Sequence, residues 1–253
     1  MIRERLDKEL VKRGLAVNRS QAGSYISLGK VRINGKTAGK SGELVKNDDV
    51  LEISVPAAEQ YVSRAGLKLA GAAASLKIQF TDQKVLDVGS STGGFTEFAL
   101  KNDAKKVVAV DVGTEQMRPS LRNDPRVELY EKTDIRDFVM TDKPDIVLAD
   151  LSFISLRKIL PSISALSKSS TQIIVLLKPQ FEAGKEQINR GVIKNDTIRR
   201  RIISDFEAWV KNDFLIIDKA DSDVPGTHGN RERFYVLRKL PKGKLLGRPS
   251  RAK

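Results

Sequence analysis

The stretch Val85-Leu86-Asp87-Val88-Gly89-Ser90-Ser91-Thr92-Gly93-Gly94-Phe95-Thr96 decides the fold of this chain. An apolar run typical of a buried strand leads into a turn of small residues, and an amphipathic segment with Phe98 and Leu100 follows. This order predicts the first strand, loop and helix of a doubly wound α/β sheet, in which ligands bind at the carboxyl ends of the strands. The glycines lie at 89, 93 and 94, which is not the G-x-G-x-x-G spacing of dinucleotide-binding loops.

Acidic residues at strand ends indicate which ligand this loop would hold. Asp111 ends the apolar run 106–110, where a carboxylate can bind a ribose hydroxyl pair, and Asp134 follows the next strand, within reach of an adenine amino group. Sites for NAD and for S-adenosylmethionine (SAM) share the acid at 111, so Asp111 alone does not choose between them. Asp87 inside the first strand favours SAM, whose sulfonium and amino acid part need carboxylate and backbone partners. A generic glycine-rich turn is the alternative.

Length and composition exclude several classes of protein. The 253 residues are enough for a small domain and a full α/β domain. No apolar run approaches the ~18 residues of a membrane span, and the charged start Met1–Arg5 does not resemble a signal peptide. The absence of cysteine excludes disulfides, thiolate zinc sites and cysteine nucleophiles, so we expect a cytoplasmic protein without a metal site.

The positive charge is concentrated at the two ends of the chain. The formal net charge is +13, which suggests a polyanionic partner. Residues 1–58 hold 11 basic and 7 acidic residues, and residues 241–253 hold 5 basic residues and no acidic one. For residues 59–240 a simple solvated surface explains the charge equally well.

The first segment has the pattern of two helices and a hairpin. Leu6 and Leu10 form an apolar stripe at helical spacing, Asn18 or Ser20 can cap a second helix, and Asn34-Gly35 is a strong signal for a tight turn. Such a short unit buries little, but it can present a cationic face to phosphates.

Residues 3–55 resemble the RNA-binding domain first named from ribosomal protein S4, also called the alpha-L motif. The resemblance rests on Arg5-Leu6-Asp7-Lys8, Arg13-Gly14-Leu15, Gly29-Lys30-Val31 and Asn34-Gly35, with Ile33 where valine is usual. It implies an RNA partner, with no DNA expected, but does not specify a reaction. The candidate RNA-binding residues are Arg3, Arg13, Arg19, Lys30 and Arg32.

Three more charged residues lie next to strand-type segments. Asp150 follows the run 146–149, Lys178 follows the run 172–177, and Glu232 precedes a late strand. In a doubly wound sheet these positions open on the same rim as the glycine loop. Each has an ordinary alternative: Lys178 as a solvated charge, Asp150 as a turn former, and Glu232 as a cross-strand partner of a neighbouring arginine.

These motifs, in this order, resemble the TlyA family of SAM-dependent RNA ribose methyltransferases, which is related to FtsJ, over residues 3–238. The resemblance implies a catalytic tetrad of Lys68, Asp150, Lys178 and Glu232. The implied cofactor-binding residues are Asp87, Gly89, Ser90, Ser91, Thr92, Gly93, Gly94, Phe95, Asp111, Asp134 and Asp150. The chain departs from the family where Ala65 replaces a usual glycine and where Arg231 and Arg233 replace apolar neighbours of Glu232.

The chemistry of a ribose hydroxyl fits this tetrad. The 2'-hydroxyl is a poor nucleophile until its proton is removed, and a lysine can accept that proton only as a neutral amine. We expect Lys178 to be the base, with Lys68 as a like charge that favours the neutral form and Asp150 as its orienting partner. Leu151-Ser152-Phe153 stands where amino-group methyltransferases carry a proline-rich acceptor loop, which argues against methylation of a base nitrogen.

The sequence therefore predicts a small α+β RNA-binding domain at 1–57, a Rossmann-like SAM methyltransferase domain at 58–240 and a disordered basic tail at 241–253. The expected function is methyl transfer from SAM to a ribose 2'-hydroxyl, with ribosomal RNA or ribosomal subunits as partners and a monomeric state. The alternatives are a non-catalytic RNA-binding assembly factor and a membrane-active hemolysin, which the missing apolar span disfavours.

Overall fold

The computed structural model of the protein describes residues 3–16, 18–54, 61–184, 186, 188, 191–193, 195–226 and 229–241. The expected domain boundary between 57 and 58 and the expected disordered tail after residue 241 lie outside the described residues. The boundaries and the tail therefore stay predictions.

The N-terminal module consists of two short helices and two small antiparallel sheets. Its elements are β1 (Arg3–Arg5), α1 (Leu6–Lys12), α2 (Arg19–Ser27), β2 (Val31–Ile33), β3 (Lys36–Thr37), β4 (Leu44–Lys46) and β5 (Leu51–Ile53). Strand β1 pairs with β4, and the other three lie in the order β3-β2-β5. The Asn18 side chain caps α2 by accepting a hydrogen bond from the Gln21 amide at 2.9 Å. Asn34 and Gly35 both take positive φ, as the tight turn between β2 and β3 requires.

The rest of the described chain alternates strands and helices. Its elements are α3 (Arg64–Ser75), β6 (Lys84–Val88), α4 (Gly94–Lys101), β7 (Lys106–Val110), α5 (Pro119–Arg122), β8 (Val127–Tyr130), β9 (Ile146–Ala149), α6 (Leu160–Leu166), β10 (Gln172–Leu177), α7 (Pro179–Glu182), α8 (Asp196–Val210), β11 (Phe214–Asp221) and β12 (Arg233–Lys239).

Strands β6 to β12 form one sheet in the order β11-β12-β10-β9-β6-β7-β8. The pairs among β10, β9, β6, β7 and β8 are parallel, whereas β12 is antiparallel to both of its neighbours. The predicted doubly wound α/β architecture is confirmed. Strand order reverses between β6 and β9, so their carboxyl ends flank the crevice where open α/β sheets bind ligands.

Both faces of the sheet are covered by apolar side chains. One face packs against α3 and α4, where the rings of Phe80 and Phe98 meet edge to face at 5.4 Å. The other packs against α6 and α8 through residues such as Ile163 and Phe206. Among the described residues, no helix has both the length and the apolar composition that a membrane crossing needs.

The two modules share one apolar core. Tyr25 of α2 and Tyr61, which precedes α3, belong to the same buried cluster. The Gln21 side chain donates a buried hydrogen bond to the Tyr61 carbonyl oxygen at 2.7 Å. The N-terminal module therefore packs directly against the start of the α/β domain.

Candidate active site

The loop after β6 needs glycine because two strand ends come together there. Gly89 takes a φ of +82°, and its amide donates to the Val110 carbonyl oxygen at 2.8 Å. A Cβ at Gly89 would lie 3.1 Å from the backbone oxygen of Asp150. Gly93 takes a φ of +93° and caps the amino end of α4. The loop therefore places backbone amides at the crevice with no side chain in the way.

Asp111 ties this loop to the end of β7. Its carboxylate accepts hydrogen bonds from the Ser91 amide at 2.8 Å and the Gly113 amide at 2.7 Å. A carboxylate oxygen has two lone pairs, so both oxygens can still accept from a ligand. Asp111 thus lies where the sequence predicts a ribose-binding acid.

A cavity of about 470 Å³ opens across the carboxyl ends of β6, β7 and β9. Its lining combines Gly89, Ser91 and the acids Asp111 and Asp134 with apolar residues that include Ile135 and Leu151. This mixture suits an adenosine, whose ribose needs acceptors and whose base needs an apolar slot.

Asp134 lines the cavity, but its carboxylate is already occupied. It accepts hydrogen bonds from the Arg136 backbone at 2.9 Å and from the Arg136 guanidinium at 3.0 and 2.6 Å. These bonds hold the pKa of Asp134 below its ordinary value. Asp134 is therefore an anion at the position where an adenine amino group is expected.

Two polar atoms are buried beside the loop without a partner. Asp87 is fully buried; its Oδ2 accepts from the Thr96 hydroxyl at 2.6 Å, while Oδ1 has no hydrogen-bond partner among the described residues. The Ser90 hydroxyl is also buried and unpartnered there. Burial raises the pKa of Asp87 to about 7. Because buried polar groups are nearly always hydrogen-bonded, these atoms fit a ligand with its own donors, such as the amino acid part of SAM.

Some of the other predicted loop residues line a second cavity, and one of them also packs in the core. Ser90, Thr92, Gly94 and Phe95 line a second, smaller cavity. Phe95 is buried, however, and its ring lies 6.2 Å from the Phe234 ring in the core. Phe95 therefore contributes its ring to the core while it also borders this cavity.

The four tetrad residues form two ion pairs. Lys68 Nζ lies 2.6 Å from Glu232 Oε2, with both side chains almost fully buried at 4% and 2% exposure. Lys178 Nζ lies 2.7 Å from Asp150 Oδ1 at 10% and 15% exposure, and it also donates to the Ser152 hydroxyl at 2.9 Å. Lys178 is therefore not a solvated surface charge. The cross-strand pairing of Glu232 with an arginine is also wrong, because its observed partner is Lys68.

The pairing changes the expected role of Lys68. The sequence suggests that Lys68 acts as a like charge beside Lys178, but in the structure Glu232 balances the Lys68 charge. Burial raises the pKa of Asp150, but the charges of Lys178, Lys68 and Arg64 outweigh it, so that the pKa lies below its ordinary value. Asp150 is therefore an anion at neutral pH, suited to orienting Lys178.

Both modules contribute walls to the second cavity, of about 280 Å³. Lys68, Asp150 and Lys178 line it from the α/β domain, and Asn18 and Ser20 line it from the N-terminal module. The two cavities share four lining residues, Gly89, Ser91, Asp150 and Ser152. The cavities therefore meet at the glycine loop. A ligand in the first cavity would adjoin a second ligand at the lysines.

Sequence reasoning missed three residues at this junction. Ser152 accepts from Lys178, Arg64 lines the second cavity one helical turn before Lys68, and Phe153 stands at the rim of the first. Phe153 is 92% exposed, has a φ of +66°, and lies 5.3 Å from the Phe181 ring. A bulky residue with positive φ is uncommon and often marks a functional site. The only signal was their position, directly after Asp150 or one turn before Lys68.

The predicted RNA-binding residues have different surroundings. Arg13 pairs with Glu9 at 2.8 Å and donates to the carbonyl oxygens of Asp49, Lys46 and Asn47, so its guanidinium holds the module together. Its expected contact with RNA stays a prediction. Arg19 pairs with Asp7 at 2.8 Å but remains half exposed. Arg3 and Arg32 are exposed and Lys30 is half-buried.

The chain is similar over most of its length to known proteins. The family model for FtsJ-like methyltransferase matches residues 61–240, and the S4 domain model matches residues 4–51. The chain is 40% identical over 241 residues to the 16S/23S rRNA (cytidine-2'-O)-methyltransferase TlyA of Mycobacterium tuberculosis, covering 93% of this chain and 90% of that protein. It is 36% identical to the 23S rRNA (cytidine-2'-O)-methyltransferase TlyA of Campylobacter jejuni, covering 89% and 96%. A solved structure named as a hemolysin from Streptococcus thermophilus matches with a TM-score of 0.71 at 37% identity, covering 95% of this chain and 90% of that one.

Proposed function

This chain belongs to the FtsJ-like methyltransferase family and, within it, to the TlyA proteins with an N-terminal S4 domain, and we propose that it transfers a methyl group from SAM to a ribose 2'-hydroxyl of ribosomal RNA. The observation that carries this proposal is the pair of lysine–carboxylate ion pairs beside the small-residue loop. The names of the two relatives suggest a cytidine as the target nucleotide.

The first cavity is the proposed SAM site. Backbone amides of the loop and the Asp111 carboxylate would hold the ribose, and Asp134 and the apolar lining residues would face the adenine. The amino acid part would extend toward the second cavity, where Ser90 and the neighbouring buried Asp87 have unpartnered polar atoms among the described residues. Bound SAM supplies a methyl group made electrophilic by its sulfonium. The acceptor ribose then belongs in the second cavity, which meets the first at Gly89 and Asp150.

In this arrangement Lys178 removes the proton from the ribose 2'-hydroxyl. The neutral amine accepts the proton at Nζ and releases it to solvent after the transfer. Asp150 and the Ser152 hydroxyl fix the direction of Nζ. The Lys68–Glu232 pair forms a rigid, buried wall that helps to align the acceptor oxygen with the methyl group, and such alignment accounts for much of the rate of a displacement.

The partner follows from the N-terminal module and the rim. The exposed arginines of the module can contact phosphates, and the exposed Phe153 ring offers a stacking surface to an unpaired base. Ribosomal RNA or a ribosomal subunit in the cytoplasm is therefore the proposed substrate. A non-catalytic assembly factor would have no need for both buried ion pairs.

The direct test is methyl transfer from radiolabelled SAM to ribosomal subunits isolated from a strain that lacks this gene. The wild-type protein should label RNA in one of the subunits, and Lys178→Ala should not, although it still binds SAM and the subunit. Lys168→Ala, which removes an exposed lysine paired with Asp145, serves as the control and should label normally. Equal labelling by wild type and Lys178→Ala would overturn the proposal.

A further inference from the structure

Glu232 lies between two arginines, Arg231 and Arg233. Its backbone oxygen accepts a hydrogen bond from the Ser222 amide at 2.9 Å, so the residue is held at the start of the β11–β12 ladder. Arg231 and Arg233 both contact Asp221, whereas Glu232 contacts Lys68. The two arginines therefore lie on one side of the backbone and Glu232 on the other.

On the arginine face, Asp221 is the common partner. Its Oδ1 accepts from Arg233 Nε at 2.6 Å and from Arg199 Nη2 at 2.9 Å, and its Oδ2 lies 3.7 Å from Arg231 Nη2. Arg199 is buried, and its Nε also donates to the Arg231 carbonyl oxygen at 3.2 Å. These bonds join α8, β11 and both neighbours of Glu232 into a cluster that we name the Asp221 cluster (Asp221, Arg199, Arg231 and Arg233).

On the opposite face, Glu232 has little room to move. A Cβ added to Gly226 would overlap Glu232 Oε1, so the carboxylate rests against glycine backbone. The other oxygen binds Lys68. A small rotation of the backbone at 231–233 would therefore break the ion pair, because neither oxygen can shift toward Gly226 to compensate.

We propose that Asp221 and Arg199 are positioning residues for methyl transfer, which fix the backbone at 231–233 so that Glu232 faces Lys68. This inference rests on the proposed function, in which the Lys68–Glu232 pair is a wall of the acceptor site. It gives Arg231 and Arg233 a role, because Asp221 holds the backbone on either side of Glu232 through their side chains.

The ion pair itself can be observed without any assay of methyl transfer. Proton–nitrogen NMR spectra of lysine side chains detect ammonium groups that burial and ion pairing protect from exchange. We expect such a signal for Lys68, identified by its loss in Lys68→Arg. Asp221→Asn should remove or shift it, and so should Arg199→Gln, which keeps the inference testable should one variant fail to fold.

Asp196→Asn is the matched control, because Asp196 also contacts Arg231, at 3.3 Å, whereas the ion pairs of Arg199 and Arg233 among the described residues are with Asp221 and Glu207. It should leave the Lys68 signal in place. An unchanged Lys68 signal in a folded Asp221→Asn protein would overturn the inference, whatever the outcome of the methyl-transfer assay.

The kinetic readout separates positioning from general stability. Asp221→Asn should lower the single-turnover methyl-transfer rate about tenfold or more, with SAM affinity by calorimetry unchanged, because small misplacements at a reacting centre are costly. In a protein that already carries Glu232→Gln, Asp221→Asn should hardly lower the methyl-transfer rate further, because Asp221 acts through Glu232. An equal loss in both backgrounds would show a merely structural role. A wild-type protein that transfers no methyl group would refute the proposed function and leave the NMR test valid.

Discussion

At the scale of single residues, Lys178 is the side chain on which the proposed chemistry depends. Its ammonium is oriented by Asp150 and Ser152, and the anionic Asp150 is a weak competitor for the proton. Lys178→Arg should therefore abolish methyl transfer while keeping the charge, because a guanidinium stays protonated and cannot accept the hydroxyl proton. Single-turnover kinetics, with SAM and RNA binding measured in parallel, would show this.

The control for this variant is Lys168→Arg, which makes the same change at an exposed pair and should leave the rate unchanged. Activity of Lys178→Arg within a few-fold of the wild type would contradict the role of Lys178 as base. Lys178 would then act by charge and position alone.

The raised pKa of Asp87 predicts how the folding stability of the protein depends on pH. Burial raises its pKa from 3.8 to about 7. When a carboxyl has a higher pKa in the folded than in the unfolded protein, it makes its whole contribution to stability at pH values below its pKa in the unfolded protein. That contribution is lost as pH rises through its pKa in the folded protein. Asp87→Asn removes this loss, so the variant should gain stability relative to wild type between about pH 4 and 7, by at most about 4 kcal/mol. Denaturant unfolding at pH 5 and pH 8 measures the difference.

Asp145 provides the comparison, because its pKa is lowered: Lys168 and Lys84 outweigh the effect of burial. Stability from such a group is present above the unfolded pKa and is lost as pH falls. Asp145→Asn should therefore lose stability relative to wild type as pH rises. The same pH trend in both variants would refute the assignment for Asp87.

Some site residues were predictable from local sequence and others were not. Asp87, Asp111, Asp150 and Lys178 each lie in or just after a buried strand, a pattern that local sequence shows. The Lys68–Glu232 pair joins residues 164 positions apart. The family resemblance indicated both residues, but the sequence did not indicate that they pair. The internal role of Arg13 depends on three carbonyl oxygens of the 46–49 turn, and a sequence does not show where carbonyls point.

At the scale of elements, the junction of the glycine loop with β7 should control SAM binding. Asp111 holds the loop through the Ser91 amide and also faces the cavity. Asp111→Ala should weaken SAM binding by about 1–3 kcal/mol, the range for a hydrogen bond to a charged group. Calorimetry on folded protein measures it, with Asp137→Ala, an exposed acid outside the cavity lining, as control. Equal SAM affinity in all three proteins would remove Asp111 from the site.

The N-terminal module should carry the salt-dependent part of RNA binding. Arg32 lies exposed on β2, so Arg32→Glu should weaken RNA binding and flatten its salt dependence by roughly one unit of slope for each phosphate that is no longer neutralised. Arg201→Glu, at an exposed position on α8, is the charge-matched control. A slope unchanged by Arg32→Glu but changed by Arg201→Glu would place the RNA on the other module.

The sequence predicted most elements but not how they pair. Apolar runs located β6, β7, β9 and β10, and the Asn34-Gly35 pair located the first hairpin. The order of the seven strands, and the antiparallel insertion of β12 between β10 and β11, depend on contacts between distant segments. No local periodicity contains that information, so the order came only with the structure.

At the scale of the whole molecule, the two modules pack together and line one cavity. Gln21 and Tyr61 join them through a buried hydrogen bond, and Asn18 and Ser20 line the cavity that holds the two lysines. RNA held by the N-terminal module would therefore lie directly against the acceptor site. This interface could not be predicted from the separate resemblances of the two segments, because neither resemblance describes how the segments pack together.

The central claim is that the methyl group goes to a ribose oxygen of ribosomal RNA. The most direct measurement uses SAM with a deuterated methyl group, ribosomal subunits from the deletion strain, and mass spectrometry of the RNA digested to nucleosides. The account predicts the deuterated methyl on the ribose fragment of one nucleoside type with wild-type protein, and no label with Lys178→Ala. A deuterated methyl on the base fragment, or label that persists in Lys178→Ala, would contradict it.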